Sequence, residues 1–222
     1  MRIHIKTTPN SMLVPFDYQQ KLTGILHAWL GKCNDLHGDL SLYSFSWLSD
    51  GNASAEGLNF PKGAKWFISF ADEKRIKTII KTILSHNEMF CGMSVSDITI
   101  EETPDLSERE LFYLGSPVFI KRADNESNGY NQYTYNDECA NDFMKETLLH
   151  KMKQAGMAED DTLDVSFDLS YKNKKTKLMR YKNINNKCNM CPVIIKGKPE
   201  TKAFVWNVGL GNSTGIGFGS IY

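Results

Sequence analysis

The stretch GLGNSTGIGFG, from Gly209 to Gly219, contains five glycines in eleven residues and is followed only by Ser220, Ile221 and Tyr222. Glycine loses more backbone freedom on ordering than any other residue, so this composition needs a physical reason. A dinucleotide-binding fingerprint must open a helix, and a P-loop must end in Gly-Lys-Ser/Thr. The stretch meets neither condition. Two interpretations remain: a backbone surface that phosphate oxygens or another chain approach closely, and a tight turn against a neighbouring element.

The first half of the chain carries strand and helix patterns in the order β-α-β-β-α-β, which is the split βαβ arrangement of ferredoxin-like domains. Apolar residues at helical spacing follow Pro15 and stop at Gly31. A second helical run follows Asp72, which can cap it. Strands are predicted at residues 1–7, 40–48, 65–70 and 90–101.

The second half has a similar but less regular outline. It predicts a helix at 136–154 and strands at 111–120 (broken near Pro117), 192–196, 203–208 and 218–222. Residues 163–169 and 178–183 are predicted to pair as a hairpin around the basic turn KNKKT, residues 172–176. We therefore predict an α+β fold of two tandem ferredoxin-like (βαββαβ) domains, residues 1–105 and 106–222, the second less regular.

Composition limits the class of protein. The 222 residues are 41% hydrophobic, which is enough to bury a core. No run of about 18 apolar residues is present, and the start MRIHIKTTPN has no apolar signal core, so we expect no membrane association. The five cysteines form an odd, scattered set that favours a reducing compartment, and we expect a cytoplasmic protein.

The net charge of zero conceals a strong asymmetry along the chain. Residues 1–168 carry 16 Lys and Arg against 25 Asp and Glu, a net −9, whereas residues 169–222 carry 10 against 1, a net +9. Such polarity indicates a polyanionic partner, or a solvated lysine-rich hairpin. Tyr171 and Tyr181 flank the basic run and can stack on bases, which favours nucleic acid.

A metal site is not expected. Cys188 and Cys191 have the spacing of half a zinc site, but no second Cys/His pair lies near them in sequence. The acidic clusters Glu101-Glu102 and 159–161 lie at the ends of predicted elements, where carboxylates are usually solvated. We therefore expect no cofactor, and a zinc-stabilised RNA module is kept only as a minor hypothesis.

The spacing of the glycine stretch resembles a known signature. Two Gly-x-Gly pairs, 209–211 and 217–219, are separated by five residues, as in the CRISPR repeat-processing endoribonucleases, the sixth Cas family of the RAMP superfamily. Residues 33–48, CNDLHGDLSLYSFSWL, are similar to that family's Leu-His loop and the strand after it, and residues 115–118 to the start of its second domain. In one departure, residues 212–216 lack the basic residue usual there.

The resemblance implies metal-independent cleavage of CRISPR precursor RNA within its repeats to produce crRNA. In that reaction the RNA 2′-hydroxyl attacks the adjacent phosphorus and leaves a 2′,3′-cyclic phosphate. A base, an acid and a positive charge are required, and histidine suits either proton role. His37 matches the family's catalytic histidine by its Leu36-His37 context. His27, on the helix where related enzymes place a second catalytic Tyr or His, is the candidate partner, with Tyr43 and Lys32 as further candidates.

RNA binding is expected from two segments. The basic run supplies phosphate contacts, which give affinity and salt dependence; its candidate residues are Lys172, Lys174, Lys175, Lys177, Arg180 and Lys182. The glycine stretch supplies backbone amides and short polar side chains; its candidates are Gly209, Gly211, Asn212, Ser213, Thr214, Gly217 and Gly219. The expected partner is CRISPR repeat RNA, with an interference complex and the oligomeric state left open. The alternative hypothesis is a non-catalytic RAMP subunit that binds crRNA.

Overall fold

The computed structural model describes residues 1–31, 40–124 and 129–222. The elements of the first half are β1 (Arg2–Thr7), α1 (Gln19–Leu30), β2 (Tyr43–Phe45), β3 (Asn52–Ala53), β4 (Leu58–Asn59), β5 (Lys65–Phe70), α2 (Glu73–Ser85) and β6 (Val95–Glu101). Four of these strands form an antiparallel sheet with the order β2-β5-β1-β6. The order β-α-β-β-α-β is the ferredoxin-like arrangement, with the small β3–β4 hairpin inserted.

Local sequence explains these elements. Asp72 caps α2, its carboxylate accepting a hydrogen bond from the Lys74 amide at 2.9 Å. Gly31 ends α1 with a φ of 89°, a conformation that glycine adopts readily. The apolar stripes of both helices enter a core that extends from Ile3 to Val95.

The second half repeats this arrangement with two insertions. Its elements are β7 (Leu111–Phe112), β8 (Val118–Ala123), β9 (Tyr130–Tyr133), α3 (Ala140–Gln154), β10 (Asp164–Phe167), β11 (Lys175–Tyr181), β12 (Ile184–Met190), β13 (Val193–Lys196), α4 (Pro199–Val208) and a 3₁₀ turn (Thr214–Ile216). One sheet has the order β10-β13-β7, and Ile221 bridges to Leu114 beside β7. Ile221 thus stands in the place of the fourth ferredoxin strand. A second sheet, β11-β12-β8-β9, contains the inserted strands.

Two predictions for the second half are wrong. Residues 203–208 belong to helix α4, which Pro199 starts, and not to a strand. Most residues of this helix are buried, so it lacks the polar face by which a helix is recognised in sequence. The predicted hairpin also has another partner. β10 pairs with β13, whereas β11 pairs with β12 across a tight turn at Lys182-Asn183. Both turn residues have positive φ, 46° and 67°, as a two-residue hairpin turn requires.

The two halves are held together by a buried arginine. The Arg2 guanidinium lies between the rings of Phe67 and Trp206, 3.9 and 3.6 Å from their centroids. It donates hydrogen bonds to the carbonyls of Trp206 and Ile221 at 3.0 and 2.7 Å. The second core extends from Leu106 to Ile221. Within the described ranges, no helix has the length and apolar character needed to cross a bilayer.

Candidate nucleic-acid interface

The glycine stretch joins α4 to the last residues and lies between the two halves. Gly209, Gly211, Gly217 and Gly219 are buried, with φ values of 70°, 69°, 91° and 65°. A Cβ on Gly209 would lie 2.5 Å from the Gly219 carbonyl oxygen, and one on Gly217 would lie 2.7 Å from the Phe45 ring. Both backbone conformation and close packing therefore require glycine at these positions.

Side chains of the first half bind the backbone of this stretch. The Trp47 indole and the Gln19 amide both donate to the Gly217 carbonyl at 3.0 Å. The Tyr43 hydroxyl donates to the Gly215 carbonyl at 3.1 Å. The glycines are thus packed against protein, which is the tight-turn interpretation. RNA contact by this stretch stays a prediction for Asn212 and Ser213, which are partly exposed.

A buried lysine, which the sequence analysis missed, anchors the stretch from the other side. Lys151 of α3 is 1% exposed. Its amine lies 3.0 Å from the Val208 carbonyl, 3.2 Å from the Gly209 carbonyl and 3.1 Å from the Thr214 hydroxyl. Burial lowers the pKa of Lys151 to about 7. The position could have been recognised, because Lys151 shares the buried face of α3 with Met144 and Leu148.

The predicted basic residues lie on an exposed hairpin. Lys175, Lys177 and Arg180 are exposed on β11 and Lys182 is exposed at the hairpin turn, while Lys172 and Lys174 lie in the loop before β11. Arg180 donates to the Asn183 side chain at 2.7 Å. In the part of the chain that the structure describes, none of these cations forms an ion pair with a carboxylate. Among the described residues, the hairpin therefore presents positive charge that no carboxylate pairs directly.

The hairpin turn faces the start of α1 across a small cleft. The cleft has a volume of about 210 Å³ and is lined by Asp17, Gln20, Arg180, Lys182 and Asn183. It brings the basic residues of the second half next to the helix that carries His27.

One face of α1 leads from this cleft to His27. Gln20, Gly24 and His27 are spaced i, i+4, i+7, which places them on one side of the helix. Gln20 and Gly24 are exposed and His27 is half-buried. A Cβ on Gly24 would meet no described atom within 4 Å, so packing among the described residues does not explain this glycine.

The other candidate catalytic residues are placed as follows. Tyr43 is 2% exposed and stacks on Phe70 with the ring centroids 4.8 Å apart. Burial raises the pKa of Tyr43 to about 12. The phenol packs in the core and supports the glycine stretch, and a catalytic role for it stays a prediction. His37 and Lys32 lie outside the described residues.

The two cysteines considered for zinc are buried thiols. The Sγ atoms of Cys188 and Cys191 donate to the carbonyls of Asn186 and Asp168 at 3.4 Å. Burial raises the pKa of Cys188 to about 12 and that of Cys191 to about 11. Within residues 1–31, 40–124 and 129–222, no group of three or more potential metal ligands gathers.

Comparison with known proteins agrees with this architecture. The family model for the C-terminal part of CRISPR-associated protein Cas6 matches residues 100–222. A search of curated proteins gives no match.

Solved structures resemble the chain over its whole length. One, described as CRISPR-associated protein Cas6, has 18% identity and a TM-score of 0.84 and covers 100% of this chain and 98% of its own. A Cas6-related protein from Pyrococcus furiosus has 19% identity and a TM-score of 0.84, with coverages of 100% and 97%. A RAMP protein that binds different RNA substrates has 18% identity and a TM-score of 0.86, with coverages of 100% and 98%. The α+β class and the double ferredoxin-like fold predicted from the sequence are confirmed.

Proposed function

The chain belongs to the Cas6 family of CRISPR-associated proteins, and we propose that it is an endoribonuclease that cleaves CRISPR precursor RNA within the repeats. Proteins of this family process or bind CRISPR RNA. The finer proposal concerns cleavage, its chemistry and the residues that perform it.

One observation carries the proposal. The exposed basic hairpin lies against the start of α1, and one face of that helix, exposed at Gln20 and Gly24, leads from Arg180 and Lys182 to the half-buried His27. From Gln20 to His27 the helix rises about 10 Å, at ~1.5 Å per residue. A ribose-phosphate backbone bound by the cations can therefore extend along α1 to a titratable side chain. The glycine at position 24 leaves room for it.

The chemistry follows from the residue types. The RNA 2′-hydroxyl attacks the adjacent phosphorus, the bond to the 5′-oxygen breaks, and the products are a 2′,3′-cyclic phosphate and a 5′-hydroxyl. One of the two histidines, His37 and His27, is the base that takes the proton of the 2′-hydroxyl, and the other is the acid that protonates the leaving oxygen. Histidine suits both roles because an imidazole titrates near neutral pH. Lys32 stabilises the negative charge on the phosphorane. Each of these roles is a proposal.

Cleavage by the wild-type protein tests the proposal. The substrate is a CRISPR repeat RNA, labelled at its 5′ end and incubated with the protein in EDTA. The proposal predicts a single cut and a 2′,3′-cyclic phosphate that a 3′-phosphatase with cyclic phosphodiesterase activity removes. Loss of cleavage in EDTA contradicts the metal-independent mechanism. Tight binding with no cleavage under any condition identifies a non-catalytic crRNA-binding subunit instead.

A further inference from the structure

A second depression lies beside the basic hairpin and has a different character. Its volume is about 470 Å³, within the ~300–1,000 Å³ range of ligand pockets. Its walls come from the segment before α1, the end of β2, the β3–β4 hairpin and β11. We call it the Trp47 pocket and define it by Phe16, Trp47, Leu58, Lys177, Leu178 and Arg180.

Trp47 is held in a fixed orientation in this pocket. Its indole N–H donates to the Gly217 carbonyl at 3.0 Å. The Lys177 amine lies 5.0 Å from the centroid of its ring, a cation–π arrangement. The residue is partly exposed and lines the pocket, so the indole is within reach of a bound group.

Two large apolar side chains of the pocket are exposed. Phe16 is 51% exposed and Leu178 is 64% exposed. They lie on elements from different halves of the chain and line the same depression. Apolar side chains that gather around a concave site, with polar residues beside them, mark a binding surface.

The charges around the pocket identify the occupant. Two cations, Lys177 and Arg180, and one carboxylate, Asp17, lie at the apolar surface, so the charged side chains in its lining are net positive. Arg180 also lines the cleft at the start of α1. An apolar, aromatic surface flanked by cations matches a nucleotide, whose base is flat and whose phosphate is anionic. We propose that the Trp47 pocket takes one unstacked base of single-stranded RNA, with Lys177 and Arg180 binding the adjoining phosphates. The proposal rests on the proposed function, since it places part of the same RNA.

Base stacking on aromatic side chains is worth ~1–3 kcal/mol per base, which is a ~5- to 150-fold change in Kd. The test compares an eight-nucleotide single-stranded RNA with the same oligomer lacking its bases. Binding is measured by fluorescence anisotropy for the wild type, Phe16→Ala and Leu178→Ala. Leu84→Ala is the matched control, because Leu84 is 80% exposed and lies on α2, away from the pocket.

The expected result is a ~5- to 150-fold weaker Kd for the base-containing oligomer with Phe16→Ala. Leu178→Ala weakens the same Kd by less, because leucine is not aromatic, and neither substitution changes binding of the abasic oligomer. Leu84→Ala changes neither. Tryptophan fluorescence adds a direct readout, because Trp29, Trp66 and Trp206 are each 2% exposed. Quenching by the base-containing oligomer, and not by the abasic one, therefore reports on Trp47.

The proposal is overturned if the substitutions weaken both oligomers equally or neither, or if no base-dependent quenching occurs. If no base-dependent quenching occurs, the apolar surface belongs to a protein partner. These outcomes are separate from the proposed function, which is read from cleavage of the repeat in EDTA. Normal cleavage without base-dependent binding rejects the pocket alone. Base-dependent binding without cleavage rejects the nuclease alone.

Discussion

Replacing Lys151 by methionine tests whether the buried amine holds the glycine stretch in place. Methionine has a similar length but no donor, so the carbonyls of Val208 and Gly209 lose a partner in a buried environment. Each unsatisfied carbonyl costs ~1–3 kcal/mol, about 2–6 kcal/mol for two. We expect a destabilisation in the lower half of that range at pH 7, because Lys151→Met also removes the cost of burying a cation in the core.

The effect of this substitution depends on pH in a definite direction. The pKa of Lys151 is lowered from 10.5 to about 7 in the folded protein. A neutral amine keeps two N–H groups, which is enough to donate to the carbonyls of Val208 and Gly209. Above about pH 7 the unfolded chain binds more protons than the folded one, so the lysine's contribution to stability rises with pH. The destabilisation caused by Lys151→Met therefore grows by about 2 kcal/mol between about pH 7 and 9.

Urea unfolding followed by tryptophan fluorescence at pH 7, 8 and 9 measures this. The control is Lys153→Met, an exposed lysine on the same helix, for which the free energy of unfolding should stay within ~0.5 kcal/mol of the wild type. A penalty for Lys151→Met below ~1 kcal/mol, or one that does not change with pH, refutes the anchoring role.

Four further substitutions test the loop, the helix face and the hairpin. Gly219→Ala should destabilise the protein by ~1–3 kcal/mol or more in urea unfolding, because the residue has a φ of 65° and a Cβ would overlap the Leu210 carbonyl; wild-type stability would contradict this. Gly24→Ala should raise stability by up to ~1 kcal/mol yet weaken repeat binding, whereas equal or tighter binding would show that RNA does not follow α1. Lys177→Gln and Arg180→Gln should each reduce the slope of log K against log salt by ~0.7 per lost contact with single-stranded RNA, and an unchanged slope would remove the hairpin from the interface.

Sequence patterns were sufficient to predict a helix or strand that has one buried face. Helix α2, with its Asp72 cap, and the order of strands and helices along the first half follow from periodicity. Helix α4 was not predicted because it packs against both halves of the chain. Seven of its ten residues are buried, so its sequence has no amphipathic pattern. Its Phe, Val and Trp residues then look like a strand.

In the candidate site, too, some features were predicted from sequence and others depend on tertiary contacts. The charge asymmetry correctly indicated an exposed basic segment, since a run of lysines is rarely buried as a group. Its strand partner was missed because pairing depends on the turn at Lys182-Asn183, whose positive φ values only Asn183 suggests in sequence. The glycines were recognised by spacing, but their burial against Phe45 and Leu210 depends on contacts remote in sequence.

Single-turnover cleavage by His37→Ala tests the central claim most directly. The substrate is the repeat RNA in EDTA, binding is measured in parallel, and His86→Ala serves as control because His86 is an exposed histidine at the end of α2. We predict that His37→Ala lowers the cleavage rate by ~10²-fold or more while the Kd stays within ~2-fold of the wild type, and that His86→Ala cleaves normally. Cleavage by His37→Ala at the wild-type rate would contradict the account.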